Sequence, residues 1–224
     1  MMMRKILTGF LALFGFADGS SAQKVQLVDP NTILASISTI SDDAAPVVEA
    51  GKIGPTDLVF HEDDWRQIEF FPASRRSEIE AKLTELVAFE KQHRSGAYWD
   101  KIYVRKLHAQ PVLPGAGAVG TIAAALGVQP HAAPVLFYEE HAVVGRVANG
   151  FSLPLGRSVA LYGFHDSTGI PVLGASVQAG SDDMALSRAF AKLNASHHLI
   201  MVDWRGHMLL TGVAPDGNFE VWQP

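Results

Sequence analysis

Residues 181–222 limit the possible folds more than any other part of the chain. Ser181, Asp182 and Asp183 provide a hydroxyl and two carboxylates, which stabilise the N-terminus of a helix. The apolar residues that follow recur every three or four positions, as they do on the buried face of a helix. These residues are Leu186, Ala189, Phe190 and Leu193.

Three antiparallel strands are predicted after this helix. Residues 199–202 are all apolar, which is typical of a strand covered on both faces. A turn at 205–206 leads to a returning strand at 207–213. A second turn, at 214–218, has proline and glycine where a turn requires them, and a last strand follows at 219–222. The segment therefore predicts one helix packed on an antiparallel meander.

A second amphipathic helix is predicted after Pro72. Ser77 and Glu80 have the spacing of a capping box, and Ser74 is an alternative N-cap. The apolar residues of this helix predict a single buried face. They are Ile79, Leu83, Leu86 and Val87.

The remaining apolar segments are short and are separated by turn residues. Runs at 135–138, 143–147, 159–164 and 172–177 predict strands, whereas the spacing within 33–40 fits a helix or a strand equally well. Such strands, with two principal amphipathic helices, predict an α+β fold whose sheet is antiparallel. We expect residues 23–224 to form a single domain, since a chain of this length is short for two.

Residues 1–22 have the pattern of a cleaved signal peptide. Arg4 and Lys5 precede an apolar run of 11 residues at 6–16, and small residues follow at 20–22. A membrane-spanning helix needs about 20 apolar residues, so this run is too short to be one. We therefore expect a periplasmic or secreted protein that starts at Gln23 and has no membrane span after cleavage.

Composition argues against several classes of protein. The formal net charge is −5, and no basic stripe is present, which argues against binding to nucleic acid or to an anionic membrane. The chain contains no cysteine, which suits an oxidising compartment but provides no disulfide. The sequence thus predicts an exported domain that is stabilised by its core alone.

Two motifs suggest a cofactor or a metal, and neither has the required context. Residues 115–120 match the glycine pattern of a dinucleotide site, but Pro111 and Pro114 separate them from any preceding strand. We interpret them as a glycine-rich turn before a short helix at 119–126. The nine histidines lack the spacing of known metal motifs. No cofactor and no metal are predicted.

The most promising binding segment is the acidic one that follows the apolar run at 58–60. It contains His61, Glu62, Asp63, Asp64, Trp65 and Arg66. We interpret 61–64 as the tip of a hairpin, because four residues is a common loop length. Tryptophan and arginine are enriched where proteins bind proteins. The alternative is that Trp65 packs in the core and Arg66 pairs with a neighbouring carboxylate.

These observations favour an exported binding protein without catalytic activity. Its predicted partner is another protein or an envelope component. The alternative is a small periplasmic hydrolase or metal-dependent enzyme that uses histidine and carboxylate groups. Burial of the 61–64 loop beside His108, His165 or His207 would favour the enzyme, whereas an exposed loop without a pocket would favour binding.

The export prediction is tested by the intact mass of the protein recovered from its native compartment. We expect a chain that begins at Gln23, because signal peptidases cleave after small residues such as those at 20–22. A recovered chain that still carries Met1, or a lipid, would contradict the prediction.

Overall fold

The computed structural model describes residues 34–138, 142–181 and 183–224. These residues form an α+β fold of mostly antiparallel sheets with three α-helices, which confirms the predicted fold class. The predicted signal peptide, residues 139–141 between two predicted strands, and Asp182 of the predicted N-cap lie outside the described residues. Within the described ranges, no helix is both long and apolar enough to cross a membrane.

The elements are numbered in chain order. The helices are α1 (Arg76–His93), α2 (Ala118–Leu126) and α3 (Asp183–His197). The strands are β1 (Thr39–Ser41), β2 (Val47–Val48), β3 (Val59–His61), β4 (Ile68–Pro72), β5 (Arg94–Ser95), β6 (Tyr98–Trp99), β7 (Tyr103–Arg105), β8 (Leu113–Pro114), β9 (Val135–Tyr138), β10 (Ala142–Val147), β11 (Gly150–Gly156), β12 (Val159–Phe164), β13 (Gly169–Ile170), β14 (Val172–Val177), β15 (Leu199–Asp203), β16 (Met208–Val213) and β17 (Phe219–Trp222).

The largest sheet has seven antiparallel strands in the order β11-β12-β14-β4-β15-β16-β17. Alternate residues of β15 pack into different cores. Leu199 and Met201 belong to the core that contains the buried face of α3, and Ile200 and Val202 belong to the core that contains α1. Because helices cover both faces of β15, residues 199–202 of this strand are all apolar, as predicted.

A second sheet has four strands in the order β2-β10-β9-β3, and β3 runs parallel to β9. It packs against the large sheet through a third core, in which Tyr162 of β12 stacks on two aromatic rings. The ring centroids of Phe60 and Trp65 lie 4.8 Å and 5.1 Å from that of Tyr162. This aromatic cluster fixes the position of β3 relative to the large sheet.

The hairpin predicted around 61–64 is wrong. β3 and β4 lie in different sheets and do not pair, and a short 3-10 turn at Glu62–Asp64 connects them. After this turn Arg66 adopts a left-handed conformation with φ of 61°. Its backbone N–H donates to the Tyr162 hydroxyl at 2.8 Å. The chain therefore crosses from one sheet to the other at 61–67, where a hairpin was expected.

Helix α1 begins differently from the prediction. The N-cap is Arg75, without a side-chain cap hydrogen bond, so the proposed capping box at Ser77 and Glu80 does not form. The chain enters α1 from a 3-10 turn at Ala73–Arg75, which places Ser77 inside the first helical turn. The predicted buried face is correct for Ile79, Leu83 and Leu86, while Val87 is only half-buried.

Two further expectations are resolved by the described residues. Of the ambiguous segment at 33–40, Thr39 and Ile40 belong to strand β1, and no helix forms within residues 34–40. The glycine-rich segment is a turn before α2, as interpreted, with Gly115 and Gly117 at φ of 102° and 83°. Such angles suit glycine because it lacks a Cβ atom.

Candidate functional site

A cleft of about 480 Å³ opens in the large sheet where β14 and β4 separate. These two strands pair at a single position, Gly174 with Glu69. Beyond it, residues 175–179 line one wall of the cleft, and β3 with the 62–64 turn contributes to another. Asp203 and Arg205, at the turn after β15, complete the site.

Two strand edges direct backbone groups toward this cleft. Gln178 N–H donates to Ser158 C=O, so alternation along an antiparallel strand directs the N–H and C=O of Val177 away from β12. Next to β3, Leu58 C=O accepts from Val135 N–H, and the same alternation directs the backbone N–H and C=O of Val59 away from β9. Consistently, Val59 C=O accepts from Gln178 Nε2 at 2.9 Å.

An ion pair forms one side of the cleft. Arg205 Nη1 donates to Asp64 Oδ1 at 2.8 Å, and Arg205 Nη2 donates to Asp63 C=O at 3.1 Å. Asp203 Oδ1 accepts from Gly206 N–H at 2.9 Å, which stabilises the turn between β15 and β16. The guanidinium is therefore bound to the 62–64 turn, and the second carboxylate, Asp203, is not paired with it.

His61 caps the 62–64 turn at the edge of the cleft. Its Nδ1 accepts from Asp63 N–H at 3.1 Å, so the neutral ring carries its proton on Nε2. The ring packs edge-on against Phe137, with the centroids 5.7 Å apart. These two contacts fix the orientation of the imidazole.

Burial affects the acidic residues of the turn. It raises the pKa of Asp63, and the nearby His61 and Arg205 oppose this shift. Burial also raises the pKa of Glu62, with a further contribution from the charge of Asp63. Ionisation of these carboxyl groups is thus less favourable in the folded protein than in water.

A buried ionic network lies behind the cleft and includes the first residues of β4. Glu69 is 2% exposed, and its Oε1 accepts from Arg66 Nε at 2.6 Å. Its Oε2 accepts from Trp204 Nε1 at 2.9 Å. Burial opposes the charge of Arg66, but Glu69 and then Asp43 outweigh this effect and raise the pKa of the guanidinium.

A second buried guanidinium, that of Arg105, joins this network to strand β1. Arg105 donates to Thr39 Oγ1 and to Arg66 C=O, each at 2.8 Å, and lies over the Trp204 ring at 4.8 Å. Burial lowers its pKa to about 10. The network therefore contains two guanidinium groups and a single fully buried carboxylate, that of Glu69, among the residues described.

Gln67 and Tyr162 connect the network to the 62–64 turn. Gln67 Nε2 donates to Thr39 C=O at 3.0 Å and to Asp63 C=O at 2.8 Å. The Tyr162 hydroxyl accepts from Arg66 N–H and donates to Asp64 C=O at 3.3 Å. The wall of the cleft is thereby attached to the rigid interior of the large sheet.

The predicted binding residues divide into two groups. His61 and Asp64 line the cleft, and Glu62 and Asp63 belong to the turn beside it. Trp65 and Arg66 are 6% and 5% exposed, in agreement with the alternative that one packs in the core and the other pairs with a carboxylate. Sequence reasoning missed the more distant lining residues: Val177, Gln178, Asp203 and Arg205.

The structure agrees with neither arrangement proposed to distinguish binding from catalysis. The 61–64 turn is half-buried and lines a cleft. His108 contacts Glu78, and His207 lies beside Glu90; neither lines this cleft, nor does His165. Among the described residues, no group of three or more histidine, aspartate and glutamate side chains is arranged to hold a metal ion.

Comparison with protein-family models, with curated proteins and with solved structures finds no match to this chain.

The buried network predicts a severe effect of Glu69→Gln. The substitution removes the carboxylate that compensates Arg66 and Arg105, and breaking a buried ion pair costs about 3–5 kcal/mol. Urea unfolding should show a loss of this order. The control is Glu80→Gln, which alters an exposed pair with Arg76 and should cost less than about 1 kcal/mol. Equal, small losses in both variants would contradict the role of the network.

The raised pKa of Asp63 predicts a pH-dependent effect of Asp63→Asn. When the folded pKa exceeds the unfolded one, stability is fully present below the unfolded pKa and is lost as pH rises through the folded pKa. The free energy of unfolding of the wild type should therefore fall relative to that of the variant between pH 3 and pH 7.

Asp216→Asn provides a control of opposite sign, because hydrogen bonds from Asn218 lower the pKa of Asp216. Here the wild type should gain stability relative to the variant over the same pH range. Urea unfolding at both pH values measures the two differences. A pH-independent difference for Asp63→Asn would contradict the burial argument.

Proposed function

We propose that this chain is an exported binding protein that holds an extended segment of another protein in the cleft. The observation that carries the proposal is the convergence of two strand edges, β3 and the end of β14, on one cleft. Val59 C=O of β3 already accepts from Gln178 Nε2, so the groups with which an added strand would pair are the N–H and C=O of Val177, which point away from β12. The partner would be recognised through its backbone and through side chains that enter the cleft.

The apolar part of the cleft suits the side chains of such a segment. Val177 is 40% exposed and lines the cleft. Phe137 and Ile68 provide further apolar surface. In strand addition, main-chain hydrogen bonds supply affinity and pockets for alternate side chains supply specificity.

The polar groups of the cleft are arranged for holding a partner. Arg205 is bound to Asp64 and to the Asp63 carbonyl, and His61 Nδ1 is engaged by Asp63 N–H. General-base catalysis needs a base within hydrogen-bond reach of a nucleophile, and these groups instead contact the protein's own backbone and side chains. A pre-organised wall favours binding because little conformational freedom is lost when the partner docks.

Export is part of the proposal and is supported by the sequence of residues 1–22. A cysteine-free chain with a compact core is suited to an oxidising compartment. A periplasmic or secreted binding protein would meet its partner, another protein or a protein of the envelope, after export.

Filling the cleft tests this proposal. Ala179 is exposed and lines the cleft, so Ala179→Trp should obstruct it without disturbing a core. A displayed library of random peptides should yield sequences that bind the wild type, and the variant should bind them at least about tenfold more weakly, as expected when a docking surface is lost. Fluorescence polarisation with the enriched peptides measures the change.

The matched control is Ala97→Trp, at an exposed alanine that does not line the cleft. It should retain wild-type affinity, and both variants should keep the wild-type melting temperature. Failure of the library to enrich any peptide, or equal binding by Ala179→Trp, would contradict the proposed function.

A further inference from the structure

The cleft lies where β4 would continue if it remained paired with β14. The pairing of Gly174 with Glu69 would, if continued, place Gln67 opposite Ser176. Instead, the left-handed turn at Arg66 carries the chain away from β14. The end of β14 therefore has a neighbour on the β12 side and an open edge on the other.

The open edge is long enough for a short stretch of extended chain. The same register places Ala175 opposite Ile68, the first residue of β4, so the open edge starts at Ser176, and a strand advances about 3.3 Å per residue. An added segment of two or three residues would lie in line with β4 and would meet it at Gln67 and Ile68. The N–H and C=O of Val177 point toward this segment, because the next residue, Gln178, donates to Ser158 on the opposite side of the strand.

At the end of the cleft nearest β4, the Asp203 carboxylate offers a hydrogen-bond acceptor, and the buried amide of Gln67 lies beside it. Asp203 Oδ1 accepts from Gly206 N–H, and Oδ2 has no hydrogen-bonding partner among the residues described. Gln67 is 5% exposed, lines the cleft and donates from Nε2 to two carbonyls, which fixes the orientation of the amide. Its Oε1 is left without a partner in the described part of the chain.

The charged donor of the cleft is already engaged. Both terminal nitrogens of Arg205 donate to the 62–64 turn. The titratable and charged groups that face the cleft are His61, Asp64, Asp203 and Arg205. With Asp64 and Arg205 paired, the unpaired charge is that of Asp203, so the site is complementary to a cation and not to an anion.

We propose that the segment held in the cleft pairs its backbone with Val177 and places a primary ammonium group against Asp203, beside Gln67. The ammonium belongs either to the N-terminus of the partner or to a lysine side chain. This inference rests on the proposed function, since it names the chemical class of the segment that the cleft recognises.

The test uses short synthetic peptides of alternating valine and threonine, labelled at the C-terminus, with binding measured by fluorescence polarisation. One peptide has a free N-terminus, and a second has the same sequence with an acetylated N-terminus. In a set of acetylated peptides, lysine replaces each residue in turn, and in a matching acetylated set glutamate does so. Either the free N-terminus or a lysine should strengthen binding about tenfold over the acetylated peptide, as for a charged hydrogen bond. Glutamate should not.

The source of the ammonium is identified by which peptide binds more tightly than the acetylated one, the peptide with a free N-terminus or a peptide with lysine. Asp203→Asn keeps an oxygen for Gly206 N–H, so the turn is preserved. In this variant the gain should disappear, while the acetylated peptide should bind as it does to the wild type. Peptides that bind equally regardless of charge would overturn the ammonium inference and leave the proposed function intact.

Backbone pairing has its own test. Val177→Pro removes the N–H that faces the cleft and spares the ladder to β12, and it should weaken all the peptides about tenfold. Val177→Ala retains the N–H and should bind more tightly than the proline variant. If Val177→Pro fails to fold, peptides N-methylated at alternate residues replace it, and one methylation register should abolish binding.

Three outcomes overturn the pairing. Unchanged affinity for both N-methylated registers would show that the backbone is not recognised. No binding by any of these peptides, when the random library still yields cleft-dependent sequences, would overturn this inference alone. No binding in either experiment would overturn the proposed function as well.

Discussion

The carboxylate of Glu69 is the interaction on which the centre of this structure depends. It accepts from Arg66 and Trp204 and is the main counter-charge for two buried guanidinium groups. Burial of an unpaired charge is unfavourable by several kcal/mol, so the segments that carry these groups must meet at Glu69. They come from β4, β7 and the turn after β15, and their meeting fixes three distant parts of the chain around one point.

The open cleft is a consequence of this arrangement. Arg66 can reach Glu69 because its backbone turns into the left-handed region, and the Tyr162 hydroxyl stabilises that turn. The same turn carries the chain away from β14. The end of β14 is therefore paired with β12 on one side and unpaired on the other. The network and the open edge thus have one cause, and a substitution that relaxes the network should also alter the cleft.

Local patterns in the sequence predicted much of the fold and only part of the site. The unbroken apolar run at 199–202 and the apolar stripe of α3 are patterns among residues that are close in sequence, so both could be recognised without the structure. His61 and the acidic Asp64 were identified because they follow the apolar run at 58–60, but they were placed on a hairpin that does not form. The left-handed turn at Arg66 and the free edge at Val177 depend on contacts between residues far apart in sequence, and these leave no local pattern.

Hydrogen exchange at the amide of Val177 is the most direct test of the central claim that this edge binds the partner. In the free protein, the Val177 amide should exchange much faster than that of Gln178, which donates to Ser158 C=O. A peptide bound in the cleft should slow exchange at Val177 and leave that at Gln178 unchanged. A Val177 amide that is already protected in the free protein, or that is unaffected by a bound peptide, would contradict the account.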